Sequence, residues 1–446
     1  MRKQPARYWI RLTSGLWFLP AAIVTLLILL AIAAVTLDLH LGASAQRYLP
    51  SLMTADAGSA RDLLASISSS MVTVAGVVFS ITIVALALAS SMYSSRVLRG
   101  FMRDRVNQVV LGSLSGTFAY CVTVLLTITG AEGAFVPSIA VFIGFLLSLA
   151  GVFSLIYFIH NVAIGIQASS VIALIAMETK ESIEDVFKAA PSQSFPAEDE
   201  QVESGQRHWR EVPARRTGYI EYVDIERLLA IAHKGMVVRM DRAAGDFVIT
   251  GKPLISVLLD RQPSRREIRE LNSAHHIGRN RTVEQDPDFG IRQLTDIAIK
   301  ALSPAVNDTT TAVIAVDYLG AVLVSAATRF EQKEARLPNG SLGVIVRAPT
   351  FEGMLTKSFD QIRQNAEGNI AVITALLNAL HTLATSTTME SRIASITRQI
   401  RSLAELVERS IDSPYDRRDV EAHVIHVAKQ AGVAEETFAE LARGNS

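Results

Sequence analysis

The first third of the chain alternates long apolar segments with short polar ones. Four of these segments carry no Asp, Glu, Lys or Arg over about twenty residues, which is the length that a helix needs to cross the hydrocarbon core of a bilayer. The predicted spans cover residues 16–37, 69–91, 109–130 and 137–159. The pattern predicts a four-helix transmembrane domain over residues 1–160 and disfavours a wholly soluble enzyme.

Charged residues in the loops predict the orientation of these spans. The basic residues between the second and third spans face a single acidic residue, Asp104, and are Arg96, Arg99, Arg103 and Arg105. The other two loops carry little positive charge and contain Asp38, Asp56, Asp62 and Glu132. Because cytoplasmic loops are enriched in Lys and Arg, we expect both termini, and everything after His160, in the cytoplasm.

The second span carries a stripe of small and hydroxylated residues along one face. The stripe consists of Ser69, Thr73, Gly76, Ser80, Ala87 and Ser91. Two interpretations remain open. Small residues let helix backbones approach closely in lipid, and the same face could instead line a hydrated path in an oligomer. No ionisable residue is expected at membrane depth, which argues against proton-coupled transport.

The remainder of the chain predicts a cytoplasmic α+β region. Residues 161–190 continue the fourth span as a helix, and the polar residues 191–216 predict a linker. Short apolar alternations with turn residues between them predict a small β domain over residues 217–260, and helical periodicity dominates residues 261–446.

A polar stretch of this region holds the candidate binding residues, which are Arg279, Arg281, Asp286, Arg292, Asp296, Asn307 and Asp308. Its first part predicts a helix over residues 289–302 with a salt-bridged outer face. Asp308 can then cap a helix that begins at Thr309 or Thr310. The seven residues either serve as caps and turns between packed helices or converge as a polar pocket or subunit contact.

The C-terminal hundred residues predict a helical bundle. Apolar positions spaced alternately by four and three form a seam that consists of Met389, Ile393, Ile396, Ile400, Leu403, Val407 and Ile411. Three heptads are short for an independent coiled coil. A hairpin with the apolar run of residues 370–380 is therefore favoured over a zipper between subunits.

Composition and motifs narrow the chemistry further. With 43 basic and 43 acidic residues the net charge is zero, so no nucleic acid partner is expected. The single cysteine, Cys121, forms no intramolecular disulfide, and the pair His275-His276 has no third ligand at metal-binding spacing. Gly245 to Val248 resembles the hairpin of biotinyl and lipoyl-like modules but lacks their Met-Lys turn. We therefore expect no cofactor, no metal and no catalytic site.

Several segments together resemble a known bacterial family. They are residues 70–86, 99–105, 117–120 and the cytoplasmic Ala-Leu-Ser-Pro-Ala-Val-Asn-Asp of residues 301–308. This set is similar to the predicted membrane proteins labelled domain of unknown function 2254, in which a proline usually follows that Asn-Asp where this chain has Thr309. The resemblance implies a bacterial inner-membrane protein and supplies no established activity.

Two classes of function fit these observations. In the first, the chain is a homo-oligomeric pore, the stripe lines it, and the four arginines ring a cytoplasmic mouth that prefers anions. In the second, the helices only anchor a cytoplasmic sensor, scaffold or ligand-binding domain. Because helix packing does not require a row of hydroxyls, the stripe favours the pore, with an ion or a small ligand as its partner.

Overall fold

The computed structural model describes residues 17–45, 57–92, 105–128, 136–188, 208–232, 236–337 and 340–432. They divide into two compact units, with the boundary between Ser170 and Val171. The first unit is helical and apolar, and the second combines helices with β-sheets.

The described residues of the first unit form four helices. They are α1 (Phe18–Ala45), α2 (Ala57–Met92), α3 (Arg105–Leu125) and α4 (Ser138–Gly165). Helix α3 contacts the other three. At Gly112 of α3, a Cβ atom would lie 2.9 Å from the Cα of Pro20, so only glycine allows α1 this close. The small residues of the third predicted span therefore serve close helix packing.

Asp38 lies on α1 and not in the loop where the sequence analysis put it. Its carboxylate is buried, and its two oxygens accept hydrogen bonds from the backbone N–H groups of Ile139 and Ala140. These donors belong to the first turn of α4, which has no intrahelical partners for them. The side chain therefore caps a neighbouring helix, and sequence periodicity does not reveal such a distant partner.

The helix predicted to continue the fourth span over residues 161–190 is interrupted. Helix α4 ends at Gly165, and a separate helix, α5 (Ala168–Val186), begins three residues later. Glycine is a poor helix former, and the N–H of Ile166 donates back to the Val162 carbonyl in a closing turn.

The described strands of the second unit form three sheets. The strands are β1 (Phe187–Lys188), β2 (His208–Pro213), β3 (Gly218–Val223), β4 (Val237–Met240), β5 (Phe247–Val248), β6 (Pro253–Leu259), β7 (His275–Gly278), β8 (Phe330–Glu331), β9 (Glu334–Arg336) and β10 (Leu342–Ile345). A five-stranded sheet has the order β2-β6-β4-β10-β9, a three-stranded sheet has the order β5-β3-β7, and β1 pairs with β8. Among the described strands, β4 and β10 alone pair in parallel.

The β region differs from the predicted small domain of residues 217–260. Strand β2 lies inside the predicted linker and pairs with β6, whereas β7, β9 and β10 come from the region predicted to be mainly helical. Residues 191–207 of that linker lie outside the described residues. His275 and His276 occupy β7 and not a helix, and they face opposite sides of the sheet, one buried and one exposed.

Helices complete the second unit. After α5 they are α6 (Ile225–Ala232), α7 (Arg265–Ser273), α8 (Pro287–Ala301), α9 (Thr309–Ala327), α10 (Phe351–Gln364), α11 (Ile370–Ser386), α12 (Glu390–Ser410) and α13 (Pro414–Gln430). The apolar seam of α12 buries Ile396, Ile400, Leu403 and Val407, and this helix contacts α10, α11 and α13 of the same chain.

Five of the described helices are long and apolar enough to cross a membrane. Four of them are α1 to α4, and the fifth is α9. In the most apolar stretch of α9, 56% of the residues are buried inside the protein. Helix α9 packs against α8, α10 and α11 of the second unit.

Candidate functional site

The small and hydroxylated stripe of α2 faces away from the core of the first unit. Its described side chains, Ser69, Thr73, Gly76, Ser80 and Ala87, are all exposed, whereas the side chain of Ser91 lies outside the described residues. A Cβ atom on Gly76 would meet no atom within 4 Å. Among the described residues, therefore, the stripe does not pack against another helix of the chain.

The opposite face of α2 supplies the core. Its buried side chains are Ala60, Leu64, Ile67, Met71, Ala75, Val78 and Ala85. Successive residues of a helix are rotated by about 100°, so the stripe lies diametrically opposite this core. Exposed apolar side chains border it on both sides, Val72 and Phe79 on one and Val77 and Leu88 on the other.

Charged residues near this helix are only partly described. Arg96, Arg99 and Arg103, the predicted cytoplasmic mouth, lie outside the described residues, and Arg105 is exposed at the first position of α3. Asp62, which the sequence analysis treated as a loop residue, lies on α2 and is exposed on the same face as the stripe.

The seven polar residues predicted to converge in the second unit do not form one cluster. Asp286 caps the N-terminus of α8, whereas Asn307 and Asp308 follow its C-terminus. A helix of 15 residues is about 22 Å long. Midway along it, Arg292 pairs with Asp296 at 2.7 Å, as the spacing of four predicts.

The Asn307-Asp308 turn serves the start of α9. Asn307 adopts a left-handed conformation with φ of 47°, which asparagine tolerates better than most residues. Asp308 accepts a hydrogen bond from the Thr311 N–H at 3.0 Å, which confirms the predicted cap. The hydroxyl of Thr309 accepts a hydrogen bond from the side-chain amide of Asn369 at 3.0 Å.

Arg281 and Asp286 do come together, at the wall of a cavity of about 490 Å³. The guanidinium of Arg281 donates two hydrogen bonds to the carboxylate, at 2.8 and 2.9 Å. The loop that carries both residues is fixed to β3 by Gln285, whose amide exchanges hydrogen bonds with the backbone N–H and carbonyl of Val223. Arg279, the remaining predicted residue, is not among the lining residues.

The Asp286 carboxylate is tightly enclosed. Burial raises its pKa to about 6, against the opposing effect of the Arg281 guanidinium. Gly245 lies directly against it with φ of 90°, and a Cβ atom there would overlap the carboxylate. The same carboxylate also accepts a hydrogen bond from the Phe289 N–H and so caps α8. One side chain therefore links the cavity wall, a helix terminus and a tight turn.

Other charged lining residues were missed by the sequence analysis. They are Asp185, Asp246, Asp288, Arg347 and Lys357. Lys357 pairs with Asp288, and the Arg347 guanidinium donates to the backbone carbonyl of Asp241 at 2.8 Å. They come from five segments that meet only in the folded chain. Of these residues, only Asp246 belongs to a motif that the sequence pointed out. The Gly245-Asp246 turn was interpreted as part of a β hairpin and not as part of a binding site.

Apolar helices followed by a mixed region of helices and strands define a membrane protein, and comparison with known proteins agrees with this class. A family model described as "Predicted membrane protein (DUF2254)" matches residues 13–382. The chain belongs to this family, as its sequence motifs indicated.

Two mycobacterial proteins described as uncharacterised are similar to this chain. A protein of Mycobacterium bovis is 32% identical over 379 residues, which cover 81% of this chain and 70% of the relative. A protein of Mycobacterium tuberculosis matches with the same identity and coverage. No solved structure matches the chain.

Proposed function

We propose that this protein is a homo-oligomeric conduit in a bacterial inner membrane. Helices α1 to α4 of each copy cross the bilayer, both termini lie in the cytoplasm, and the stripe of α2 faces a path shared by the copies. The observation that carries the proposal is the position of the stripe, which lies on the outermost face of the first unit and opposite its core.

The fifth apolar helix, α9, is assigned to the soluble region. Asp317 is exposed in the middle of α9, and a charged side chain facing lipid is costly. At the C-terminal end of α9, the buried Arg392 guanidinium donates to the carbonyls of Ala327 and Arg329. Burial against α8 and α11 explains the apolar sequence of α9 without a bilayer, which supports four spans.

The borders of the stripe support an oligomer. Hydroxyls on a helix facing lipid bond only to their own backbone, as Thr73 does to the Ser69 carbonyl at 2.9 Å, and gain nothing more there. If neighbouring copies pack through the apolar borders at Val72, Phe79, Val77 and Leu88, the stripe faces the axis. Water in the path can then use the remaining hydrogen-bonding capacity of the hydroxyls.

Charges at the two ends would set selectivity. Arg96, Arg99, Arg103 and Arg105 would concentrate anions at the cytoplasmic mouth. Asp62 would form an acidic ring at the other end of the stripe and oppose that preference. We expect the arginines to dominate, because four per copy outnumber Asp62 together with Asp104, the acidic residue of their own loop.

Ion flux from liposomes tests selectivity. The reconstituted protein should pass chloride faster than potassium, Asp62→Asn should increase the chloride flux, and Arg103→Glu should reverse the preference. Permeability that stays at the level of empty liposomes in all three proteins would contradict a conduit.

Thiol labelling tests the position of the stripe. In a Cys121→Ala background, Thr73→Cys should react with a charged, membrane-impermeant thiol reagent, and the reaction should reduce the flux. Val152→Cys is the matched control, because Gly151 of α4 packs against Met71 of α2 and the two test positions therefore lie at similar depth. Val152 is exposed on a face without a hydroxyl stripe, so its cysteine should stay unmodified.

The alternative is a membrane-anchored ligand-binding protein without a path. The cavity beside Arg281 and Asp286 favours this class independently of the membrane unit. If Thr73→Cys resists the reagent as fully as Val152→Cys does and no flux is seen, the anchor interpretation replaces the conduit.

A further inference from the structure

The cavity of the second unit is built from segments far apart in the chain. It lies where the end of α5, the turn before β5, the loop before α8 and the N-terminal part of α10 meet. Its volume of about 490 Å³ falls in the range of cavities that enclose small organic molecules. No residue of α2 is among its lining residues, and binding there does not depend on conduction.

Two of the charged groups in its wall neutralise each other in place. Arg281 and Asp286 form a pair with two parallel hydrogen bonds, and the carboxylate is only 4% exposed. Lys357 and Asp288 form a second pair. These four residues form part of the wall. Because their charges cancel within each pair, they attract a ligand of either sign only weakly.

Charges of both signs remain for a ligand. Among the described residues, no carboxylate pairs with Arg347, which is exposed and bonds to one backbone carbonyl. Asp185 is exposed and has no cationic partner in the described part of the chain. The carboxylate of Asp246 accepts, among the same residues, only from the backbone N–H of Ala243. A molecule with one anionic and one cationic group would satisfy both sets.

Apolar side chains line part of the remaining wall, beside the polar side chains of Gln285, Gln332 and Thr350. Val223, Ile225, Met240, Phe247 and Val346 contribute side chains to the same cavity. This surface suits an aliphatic or aromatic body attached to the charged groups. A divalent cation fits less well, because no group of three His, Cys, Asp or Glu side chains in the described residues is arranged to hold one.

We propose that this cavity binds a small zwitterionic organic molecule with an apolar body, of the α-amino acid class. Its carboxylate lies at Arg347, its ammonium group lies at Asp185 and Asp246, and its side chain lies against the apolar wall. The Arg281–Asp286 pair is a positioning element, because it fixes the loop before α8 and the turn at Gly245.

Calorimetric titration of the full-length protein in detergent tests the site, with the standard L-amino acids as probes. At least one amino acid with an apolar side chain should bind. For leucine, 4-methylpentanoate lacks the ammonium group and 3-methylbutylamine lacks the carboxylate. Each should bind at least about tenfold more weakly than the amino acid, because each loses one charge-assisted contact.

Variants identify the two ends of the ligand. Arg347→Gln and Asp185→Asn should each weaken binding of the amino acid by about tenfold. Arg347→Gln should leave the affinity for 3-methylbutylamine unchanged, and Asp185→Asn should leave that for 4-methylpentanoate unchanged. Arg401→Gln, at an exposed position of α12, is the matched control and should bind as the wild type does.

Three results would overturn the proposal. They are the absence of binding by any amino acid, equal affinity for an amino acid and its singly charged analogue, and wild-type affinity in both variants. Unfolding midpoints of the variants without ligand separate loss of binding from loss of fold. The titration measures binding and not flux. A failure to bind amino acids therefore does not contradict the proposed conduit, and an absence of ion flux does not contradict the proposed binding site.

Discussion

The carboxylate of Asp38 accepts a hydrogen bond from the backbone N–H of Ala140 at 2.9 Å, across two helices that are a hundred residues apart in sequence. A second oxygen of the same side chain accepts from Ile139 at 3.1 Å. The N-terminal residue of α4 is preceded by Pro137, which has no side-chain hydrogen bond to offer as a cap. Asp38 of α1 therefore supplies the cap that the local sequence lacks.

Replacement of Asp38 should consequently loosen the first unit. Asp38→Ala leaves two N–H groups without a partner and should lower the free energy of unfolding by about 1–2 kcal/mol, and Asp38→Asn should cost less because its amide oxygen still accepts. The measurement is an SDS titration of the detergent-solubilised protein followed by circular dichroism. Thr36→Ala on the same helix is the control, since Thr36 bonds only to its own backbone. An equal effect of the two alanine variants would contradict the capping role.

Gly245 and Gly251 allow backbone strain to be separated from steric overlap. Both adopt positive φ, 90° at Gly245 and 84° at Gly251. The N–H of Gly245 donates to the carbonyl of Ile220 in β3, and the N–H of Gly251 donates to the carbonyl of Ala214, just after β2. A Cβ atom at Gly251 meets open space, whereas at Gly245 it overlaps the Asp286 carboxylate.

Gly251→Ala should therefore cost only the strain, about 1–2 kcal/mol. Gly245→Ala should cost about 1–3 kcal/mol more, because the carboxylate must move away from Arg281 and from the N-terminus of α8. Unfolding by urea, followed by tryptophan fluorescence from Trp209 in β2, measures both. If the two variants unfold at the same denaturant concentration, the close approach of Gly245 to Asp286 is not significant for stability.

The sequence predicted those features that depend on local periodicity or on a cap within one turn. The apolar spans, the Arg292–Asp296 pair and the Asp308 cap are of this kind, because each needs residues no more than a turn or one helix apart. The stripe of α2 was recognised in the same way, although its exposure required the positions of the other helices.

Features that depend on distant partners were missed. The sequence of β2 was interpreted as part of a polar linker, because its hydrogen-bonding partner, β6, lies some forty residues further on. Asp38 was interpreted as a loop residue, because the backbone N–H groups that donate to its carboxylate belong to α4. The cavity shares this property, since Asp185, Asp286 and Arg347 become neighbours only when three separate segments pack.

Arg392 stabilises the C-terminus of α9 from another helix. Its guanidinium is 5% exposed, donates to the carbonyls of Ala327 and Arg329, and lies over the ring of Phe351 at 5.3 Å. The last carbonyls of a helix have no intrahelical donors, so the side chain satisfies groups that would otherwise be buried without partners.

Arg392→Met keeps an apolar stem of similar length and removes the donors. We expect it to lower the free energy of unfolding of the second unit by about 2–4 kcal/mol, as expected for lost hydrogen bonds from a charged group. Arg401→Met, on the exposed side of the same helix, should change it by less than about 0.5 kcal/mol. The urea unfolding midpoint compares them, and a wild-type midpoint in Arg392→Met would rule out the capping role.

His275 should make the second unit sensitive to acid. The ring is 6% exposed, its Nδ1 lies 3.1 Å from the Leu271 carbonyl, and burial lowers its pKa to about 4. An unfolded histidine has a pKa near 6.5, so between pH 6.5 and 4 the unfolded chain binds the proton more readily. By linkage, the free energy of unfolding falls as the pH is lowered through this window, by about 2–3 kcal/mol from this group.

His275→Phe removes the titrating group and keeps a ring of similar shape. The Leu271 carbonyl retains the N–H of Ala274 as a donor at 3.2 Å, so the variant should unfold much like the wild type at pH 7.5. At pH 5 it should be more stable than the wild type, because the wild-type protein alone pays for keeping this ring neutral. Urea unfolding at both pH values measures the difference between the proteins. A difference that does not change with pH would show that His275 has the same pKa in the folded and the unfolded chain, which would contradict this prediction.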